Sequence, residues 1–307
     1  MKINQFEPFI GEEEYASLKS CFDDMWITEG PKSKEFLRRM EEMFGTPYVV
    51  FAPNGTLALY LALRALGIGE GDHVLVPNFT FIATANAVEM VGATPVFVDI
   101  KSDLQMDPDL CEAAITENTK AIMPAHIFGF SADMDAICEV AHKHNLKVIE
   151  DAAQAIGINR NGQPCGTFGD AGCFSFFADK TITMGEGGLV IVKDKDVYDN
   201  LLYLRNQGRK DRGSFLHPEI GYNFRITDMQ AAVGLAQLDK LPQIIEKKTQ
   251  IYEWYKEGLK DVDEVCIYEP DSNTDPFIPF RVVISTRDKS HNLMSFMSYA
   301  GIETRSF

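Results

Sequence analysis

From residue 47 onward the sequence alternates short β-branched or aromatic runs with helical windows, and that alternation constrains the fold more tightly than any other feature. The runs are residues 48–51, 73–76, 96–98, 121–123 and 147–149, and the helical windows between them are 56–66, 82–91, 108–115 and 134–144. Parallel neighbours in a sheet need a long crossover, usually a helix, so this rhythm predicts a largely parallel sheet with helices on both faces. After residue 149 the rhythm breaks. Runs 172–177 and 189–192 are joined by a link too short for a helical crossover, so the second is expected to run antiparallel to its neighbours. The expected architecture is α/β, a three-layer αβα sandwich whose mostly parallel sheet carries one antiparallel strand.

The flanks are less regular. Residues 1–46 read as a short lead and two polar helices about a turn marked by Gly30 and Pro31. Beyond the sheet, helices are expected at 196–206 and, with Thr227 as N-cap, at 227–238; a loop holding Gly208 and Gly213 lies between them. Pro242 is expected to open a separate amphipathic helix reaching Leu259. The remainder offers one strand at 277–284 and one helix at 291–300, too little to enclose a core. The expected division is a large α/β domain with its helical lead, residues 1–240, and a linking helix with a partial small α+β domain, residues 241–307.

Charge and cysteine usage exclude whole classes. A formal net charge of -16 repels phosphate backbones and anionic lipid, so neither nucleic acid nor membrane is an expected partner, although local dipoles can still hold a small anion. The six cysteines form no C-x-x-C pair, which speaks against a zinc ribbon or a dithiol redox site. Reduced thiols, no apolar leader and no membrane-length apolar run lead to the expectation of a cytoplasmic protein.

Four stretches carry residues suited to chemistry. Lys180 follows the apolar run 173–177 and enters a glycine-rich turn ending at Gly188, an unusual place for an amine; a solvated loop lysine is the ordinary alternative. Asn54-Gly55-Thr56 opens a helix after a strand. There unpaired N–H groups and a partial positive charge make a seat for phosphate, or simply a capped turn. Gly67-Ile-Gly69-Glu-Gly71 follows a helix and precedes a strand, the reverse of a dinucleotide fingerprint, so a nicotinamide enzyme is set aside. Asp151 closes a strand where open α/β sheets gather ligands, with Glu150 facing the other way, and Phe81 lies just past another strand end. An amine, an anion seat, a carboxylate and an aromatic platform together suit pyridoxal 5'-phosphate (PLP). Its aldehyde needs a lysine, its pyridine nitrogen an acid, and its phosphate backbone donors.

These residues sit in motifs that resemble one family: Asn54-Gly-Thr-Leu-Ala-Leu, Thr80-Phe-Ile-Ala-Thr, Glu150-Asp-Ala-Ala-Gln-Ala, Phe174-Ser-Phe-Phe, Lys180-Thr-Ile-Thr, Gly185-Glu-Gly-Gly and Gly221-Tyr-Asn-Phe-Arg-Ile-Thr-Asp-Met-Gln-Ala-Ala. From about Trp26 to the last residue the chain resembles the DegT-type sugar-nucleotide aminotransferases, a branch of the fold-type I PLP enzymes. The resemblance implies that Lys180 carries the cofactor and shuttles a proton, that Asp151 pairs with the pyridine nitrogen, and that Gln154 contacts the ring hydroxyl. Gly55, Thr56 and Ser175 would hold the phosphate, with Phe81 stacked on the ring. Asn223 would reach the phosphate of a neighbouring subunit, which implies a homodimer with shared sites. Arg225 is a carboxylate or phosphate partner, or else part of a structural salt bridge. Trp26 and Thr28 fall where family members approach the sugar, with a core tryptophan as the plainer alternative.

The implied reaction moves an amino group from L-glutamate to a nucleoside-diphosphate-linked 4-keto-6-deoxy sugar by ping-pong kinetics, toward amino sugars for surface polysaccharide. The run Phe176-Phe-Ala-Asp-Lys-Thr-Ile-Thr183 most resembles GDP-perosamine synthases, which act on GDP-4-keto-6-deoxymannose; UDP- and dTDP-linked keto sugars are rivals. Family relatives that dehydrate sugars carry histidine where this chain has Lys180. A non-catalytic or regulatory PLP-fold protein is the other-class alternative. Family members continue past the Gly301-Ile-Glu-Thr-Arg305 segment, so the resemblance also implies that the pattern is interrupted at Phe307 and that activity is weak or needs the remainder.

Overall fold

The computed structural model describes residues 2–209, 213, 215–287 and 290–306. Phe307 and part of the loop expected between Gly208 and Gly213 lie outside the described residues. The first half comprises α1 (Glu12–Asp23), α2 (Pro31–Phe44), β1 (Val49–Ala52), α3 (Gly55–Ala65), β2 (His73–Pro77), α4 (Ala83–Met90), β3 (Thr94–Val98), α5 (Pro108–Ala113), β4 (Thr119–Ile122), α6 (Met134–His144) and β5 (Lys147–Asp151). The second comprises the short hairpin β6 (Asn159–Arg160) and β7 (Gln163–Pro164), then β8 (Ala171–Ser175), β9 (Gly188–Val192), α7 (Lys195–Arg205), α8 (Asp228–Leu259), β10 (Val265–Ile267), β11 (Ile284–Thr286) and α9 (Ser290–Tyr299).

Seven strands form one sheet in the order β1-β9-β8-β5-β4-β2-β3. Only β9 opposes the rest, pairing antiparallel with both β1 and β8, as the short 177–187 link requires. The period of two sorts the strand side chains between layers. Val50, Ala52, Val190 and Val192 face the cluster built with α3, α4 and α7, whereas Val49, Phe51, Leu189 and Ile191 face the cluster built with α2 and α8. This is the three-layer αβα arrangement of fold-type I enzymes.

Two expected elements differ. Helix α8 is continuous from Asp228 to Leu259, with Pro242 inside it, so the expected break at 238–242 is absent and the 240/241 domain boundary falls within a helix. An interior proline costs roughly 3 kcal/mol. Docking to α1 offsets it: Lys240 Nζ lies 2.7 Å from Glu14 Oε2 and 2.8 Å from Glu13 Oε2, and Gln237 donates to Glu14 Oε1 at 2.8 Å. The second difference is the expected strand at 277–284. Only Ile284–Thr286 is a strand, and its partner is Val265–Ile267, which sequence reasoning missed. Pro276 and Pro279 remove ladder donors from the preceding stretch. It runs instead as a strap over the large core: Phe277 stacks on Phe130 with centroids 5.3 Å apart, Ile278 is buried, and the Phe280 N–H donates to the Phe128 carbonyl at 3.0 Å. Gly129, at φ +89°, lets the strap approach, since a Cβ there would lie 2.2 Å from the Ile278 carbonyl oxygen.

The first turn of α2 has no side-chain cap of its own, because its N-cap is Gly30. The buried carboxylate of Asp228, at the start of α8, takes that role, accepting from Gly30 N (2.7 Å), Lys32 N (3.0 Å), Ser33 N (2.9 Å) and Ser33 Oγ (2.6 Å). Asp228→Ala is expected to cost about 2–3 kcal/mol, as buried donors lose their acceptor. Chemical denaturation checks this; a loss of only a few tenths would refute the capping role.

Candidate active site

Because β1, β2, β5 and β8 all run the same way, their carboxyl ends share one edge of the sheet, where open α/β sheets bind ligands. Gly55, Phe81, Asp151 and Lys180 each follow or close one of these strands. Register builds the seat at the start of α3. Ala52, Gly188 and Ser175 lie abreast across β1, β9 and β8. Gly188 has no side chain, and a Cβ there would come within 2.4 Å of the Asn54 carbonyl oxygen, so only glycine lets the turn settle over the sheet. A Cβ on Gly55 would likewise lie 2.8 Å from Ser175 Cβ, which puts Ser175 directly against the first turn. Asn54 Oδ1 caps Leu57 N at 3.0 Å, and Ala58 N bonds the Asn54 carbonyl. Among the described residues, the first-turn N–H groups of Gly55 and Thr56 have no such partner. Unpaired N–H groups at a helix start are suited to an anion.

The strand period places Asp151 on the face toward α4 and Glu150 on the opposite face. Asp151 Oδ2 accepts from Thr84 Oγ1 at 2.8 Å, Thr84 meets Thr80 at 2.8 Å, and Oδ1 accepts from Ala153 N at 3.1 Å. Thr84 was not singled out from the sequence although it closes the motif that begins at Thr80; Thr80 lies in the turn before α4 and Thr84 in its first turn. Glu150 is not solvated and faces away from Asp151's side of the sheet. It is fully buried, accepts from Gly166, Phe168 and Gly169 N at 2.6–2.8 Å, and faces His126 Nε2 at 3.1 Å. It shapes the chain entering β8.

Lys180 sits in a loop closed on Phe176, whose carbonyl receives Met184 N at 2.9 Å and Thr183 Oγ1 at 3.1 Å. Thr183 N in turn bonds Gln237 of α8, and Gly234 makes room for Met184 beside Phe36. The loop is thus seated on a helix rather than hanging in solvent. Lys180 is largely buried, its Nζ 3.7 Å from Asp179 Oδ1 and 4.8 Å from the centroid of Phe280. Burial pushes its ammonium below the usual lysine value, with Arg281 adding to the effect, against upward pulls from Asp179 and Asp151.

The remaining expected residues are spread around this edge. Gln154 Oε1 accepts from Phe128 N at 2.6 Å, so its amide nitrogen is the end left to donate. Phe81 is 64% exposed, an uncovered ring beside α4. Asn223 is exposed and its Oδ1 takes Arg225 Nε at 2.9 Å; Arg225 Nη1 also reaches Asn206 Oδ1 at 3.2 Å. Trp26 is not core: it is 47% exposed, its indole folded against Gly30, and Thr28 beside it is exposed too. Their turn is pinned by Arg205, which pairs with Glu29 at 2.8 and 3.1 Å and donates to the Phe51 carbonyl on β1. Among the described residues, no acidic, histidine or cysteine cluster could hold a metal, no helix is long and apolar enough to cross a membrane, and the six cysteines are unbridged.

Asp179 holds the Lys180 ammonium, so Asp179→Asn should lower the lysine's pKa further, and Arg281, losing its counter-charge, acts in the same direction. The rate of borohydride trapping of a small aldehyde on Lys180, followed against pH, should keep its maximum to lower pH in the variant. An unchanged or upward-shifted profile would show that Asp179 does not act on the amine.

Comparison with known proteins places this geometry. The model of the DegT/DnrJ/EryC1/StrS aminotransferase family matches residues 8–307. The chain is 43% identical to the GDP-perosamine synthase of Escherichia coli O157:H7 over 86% of its own length and 73% of the relative's. It is 41% identical to a UDP-N-acetyl-3-dehydro-alpha-D-glucosamine 3-aminotransferase of Acidithiobacillus ferrooxidans, covering 90% of this chain and 75% of that protein. The PLP form of a sugar aminotransferase of Streptococcus pneumoniae superposes with a TM-score of 0.93 at 30% identity, over 99% of this chain and 84% of the other. The chain therefore belongs to the DegT/DnrJ/EryC1/StrS family and is a PLP-dependent sugar-nucleotide aminotransferase.

Proposed function

We propose that this aminotransferase moves the amino group of L-glutamate onto GDP-4-keto-6-deoxymannose to give GDP-perosamine. The observation that carries the acceptor is the 43% identity to the Escherichia coli GDP-perosamine synthase. A UDP-linked keto sugar is the second reading, favoured by the 41% identical UDP-sugar relative. Bound PLP supplies the electron-accepting ring on which the amino group is carried.

The pocket's own residues fit that cofactor. The Gly55 and Thr56 N–H groups and Ser175, packed together without room for a Cβ, suit its phosphate. Asp151, held by Thr84 and Ala153, suits the pyridine nitrogen, and the free amide end of Gln154 suits the ring hydroxyl. The exposed Phe81 ring is available to stack. Lys180, with its ammonium weakened by burial, binds the cofactor and moves the proton at Nζ. Because Arg225 occupies Asn223 Oδ1, Asn223 presents its amide nitrogen outward, as donation across a homodimer would need. Arg225 positions it. Trp26 and Thr28, exposed on the turn pinned to β1, are assigned to the sugar. The same reading keeps residues 1–240 as the large PLP-binding domain and 241–307 as the linking helix and partial small domain, with the protein in the cytoplasm.

Purified protein loaded with PLP should show visible absorbance that Lys180→Ala abolishes. L-glutamate should discharge that absorbance, and the discharged enzyme should then turn over GDP-4-keto-6-deoxymannose at least tenfold faster than UDP- or dTDP-keto sugars. A preference for a UDP-sugar would replace the acceptor assignment and leave the donor assignment standing.

A further inference from the structure

The roles above leave one half-buried cation beside Lys180 unused. Lys248 projects from α8, and its Nζ lies 5.7 Å from the centroid of the Phe280 ring, the ring that Lys180 Nζ approaches at 4.8 Å and the Arg281 guanidinium at 4.1 Å. Three cations thus gather on one buried side chain, and among the described residues one carboxylate lies within ion-pair distance of any of them: Asp179, 2.8 Å from Arg281 Nη2 and 3.7 Å from Lys180 Nζ, with Asp151 acting on Lys180 from farther away. Among the described residues Lys248 has no carboxylate within ion-pair distance. Burial, together with Arg281 and Lys180, pushes its ammonium down to about 8, with Asp179 only partly compensating. A surplus of partly buried positive charge is costly until an anion completes it, and it stands out in a chain of net charge -16.

The position of the surplus selects the anion. An amino-acid donor carries its α-carboxylate on the same carbon as the amine that must react beside Lys180. The diphosphate of a nucleotide sugar is held away from the keto carbon by the width of the pyranose ring. A carboxylate is therefore the anion that reaches the Phe280 ring while its own carbon is at Lys180. Arg281 is already fixed: Nη1 donates to the Phe280 carbonyl at 2.9 Å, Nη2 binds Asp179, and the guanidinium lies over Phe6 at 5.5 Å. It contributes field, while the three donors of Lys248 remain for contact.

We propose that Lys248, backed by Arg281 in the grip of Asp179, binds a carboxylate of the amino-acid donor next to Lys180. This rests on the donor assignment above. Lys248→Met keeps the stem and removes the charge, Lys248→Gln is a second neutral form, and Lys248→Arg restores the charge. The ligand to titrate is glutarate, a dicarboxylate without an amine, by calorimetry on the protein with and without PLP. Either neutral variant that keeps the visible absorbance of the bound cofactor should bind glutarate on the order of tenfold more weakly or worse, and the arginine variant should recover most of the loss. The L-glutamate concentration needed for half-maximal discharge should rise by the same factor, with the requirement for the keto sugar unchanged. Wild-type affinity for glutarate in both neutral variants would overturn the proposal, as would a loss confined to the nucleotide sugar, which would assign the charge to the diphosphate. If wild-type protein keeps its absorbance yet fails to react with L-glutamate, the donor assignment itself falls, an outcome distinct from unchanged variants.

Discussion

The parallel pairing of β5 with β8 is the constraint from which the rest of the site follows. Asp151 pairs in register with Cys173, so the acid at the end of one strand and the loop leading to Lys180 leave the sheet side by side and in the same direction. Reversing β9 then lets the chain return at once. Gly188 meets Ser175 on one side and Ala52 on the other, which brings the start of α3 against the same edge. Lys180, Asp151 and the start of α3 are thus brought together by strand direction and register. No flexible segment has to fold over to assemble them.

Long-range carboxylates hold the outer layers onto this frame. Asp228 caps α2 from the start of α8, Glu14 receives Lys240 and Gln237, and Arg160, almost fully buried, gathers Asp133, Asp135 and Asp271. Each is a charged group whose burial is compensated by several donors or partners, the condition under which buried charge persists. The last of these ties the strap's base to the N-terminus of α6, and so fixes the course of residues 274–283 past Phe128 and Lys180.

The sheet was legible in the sequence because its signals are local. Period-two runs, helix caps such as Asn54 and Thr227, and the short link before β9 each act over a few residues. The positions of Lys180, Asp151 and Gly55 were legible for the same reason, since each lies where a strand run ends. The strap was not. Its run 277–284 has the apolar content of a strand, but Pro276 and Pro279 spoil the ladder and the aromatic side chains are spent on the large core. Pro242 likewise looked like a boundary because propensity is local, whereas the contacts that carry α8 through it come from α1, over two hundred residues earlier. Thr84, Asp179, Lys248 and Arg281 were missed because they are brought together by packing between α4, the Lys180 loop, α8 and the strap, for which no spacing rule exists.

The electrostatics of the Lys180 neighbourhood follow from that same packing. An isolated lysine in a largely buried loop loses hydration and becomes a weaker ammonium, which favours its nucleophilic form. Asp151 and Asp179 oppose that loss, and if they acted alone they would hold the proton on Nζ. Burial outweighs them, and Arg281 adds to it by binding the Asp179 carboxylate directly, at 2.8 Å against 3.7 Å for Lys180. It thereby takes the closer share of that acid's field. The strap that delivers Arg281 is therefore part of what sets the amine's basicity, and the reactivity of a residue placed by β8 depends on a segment more than a hundred residues downstream.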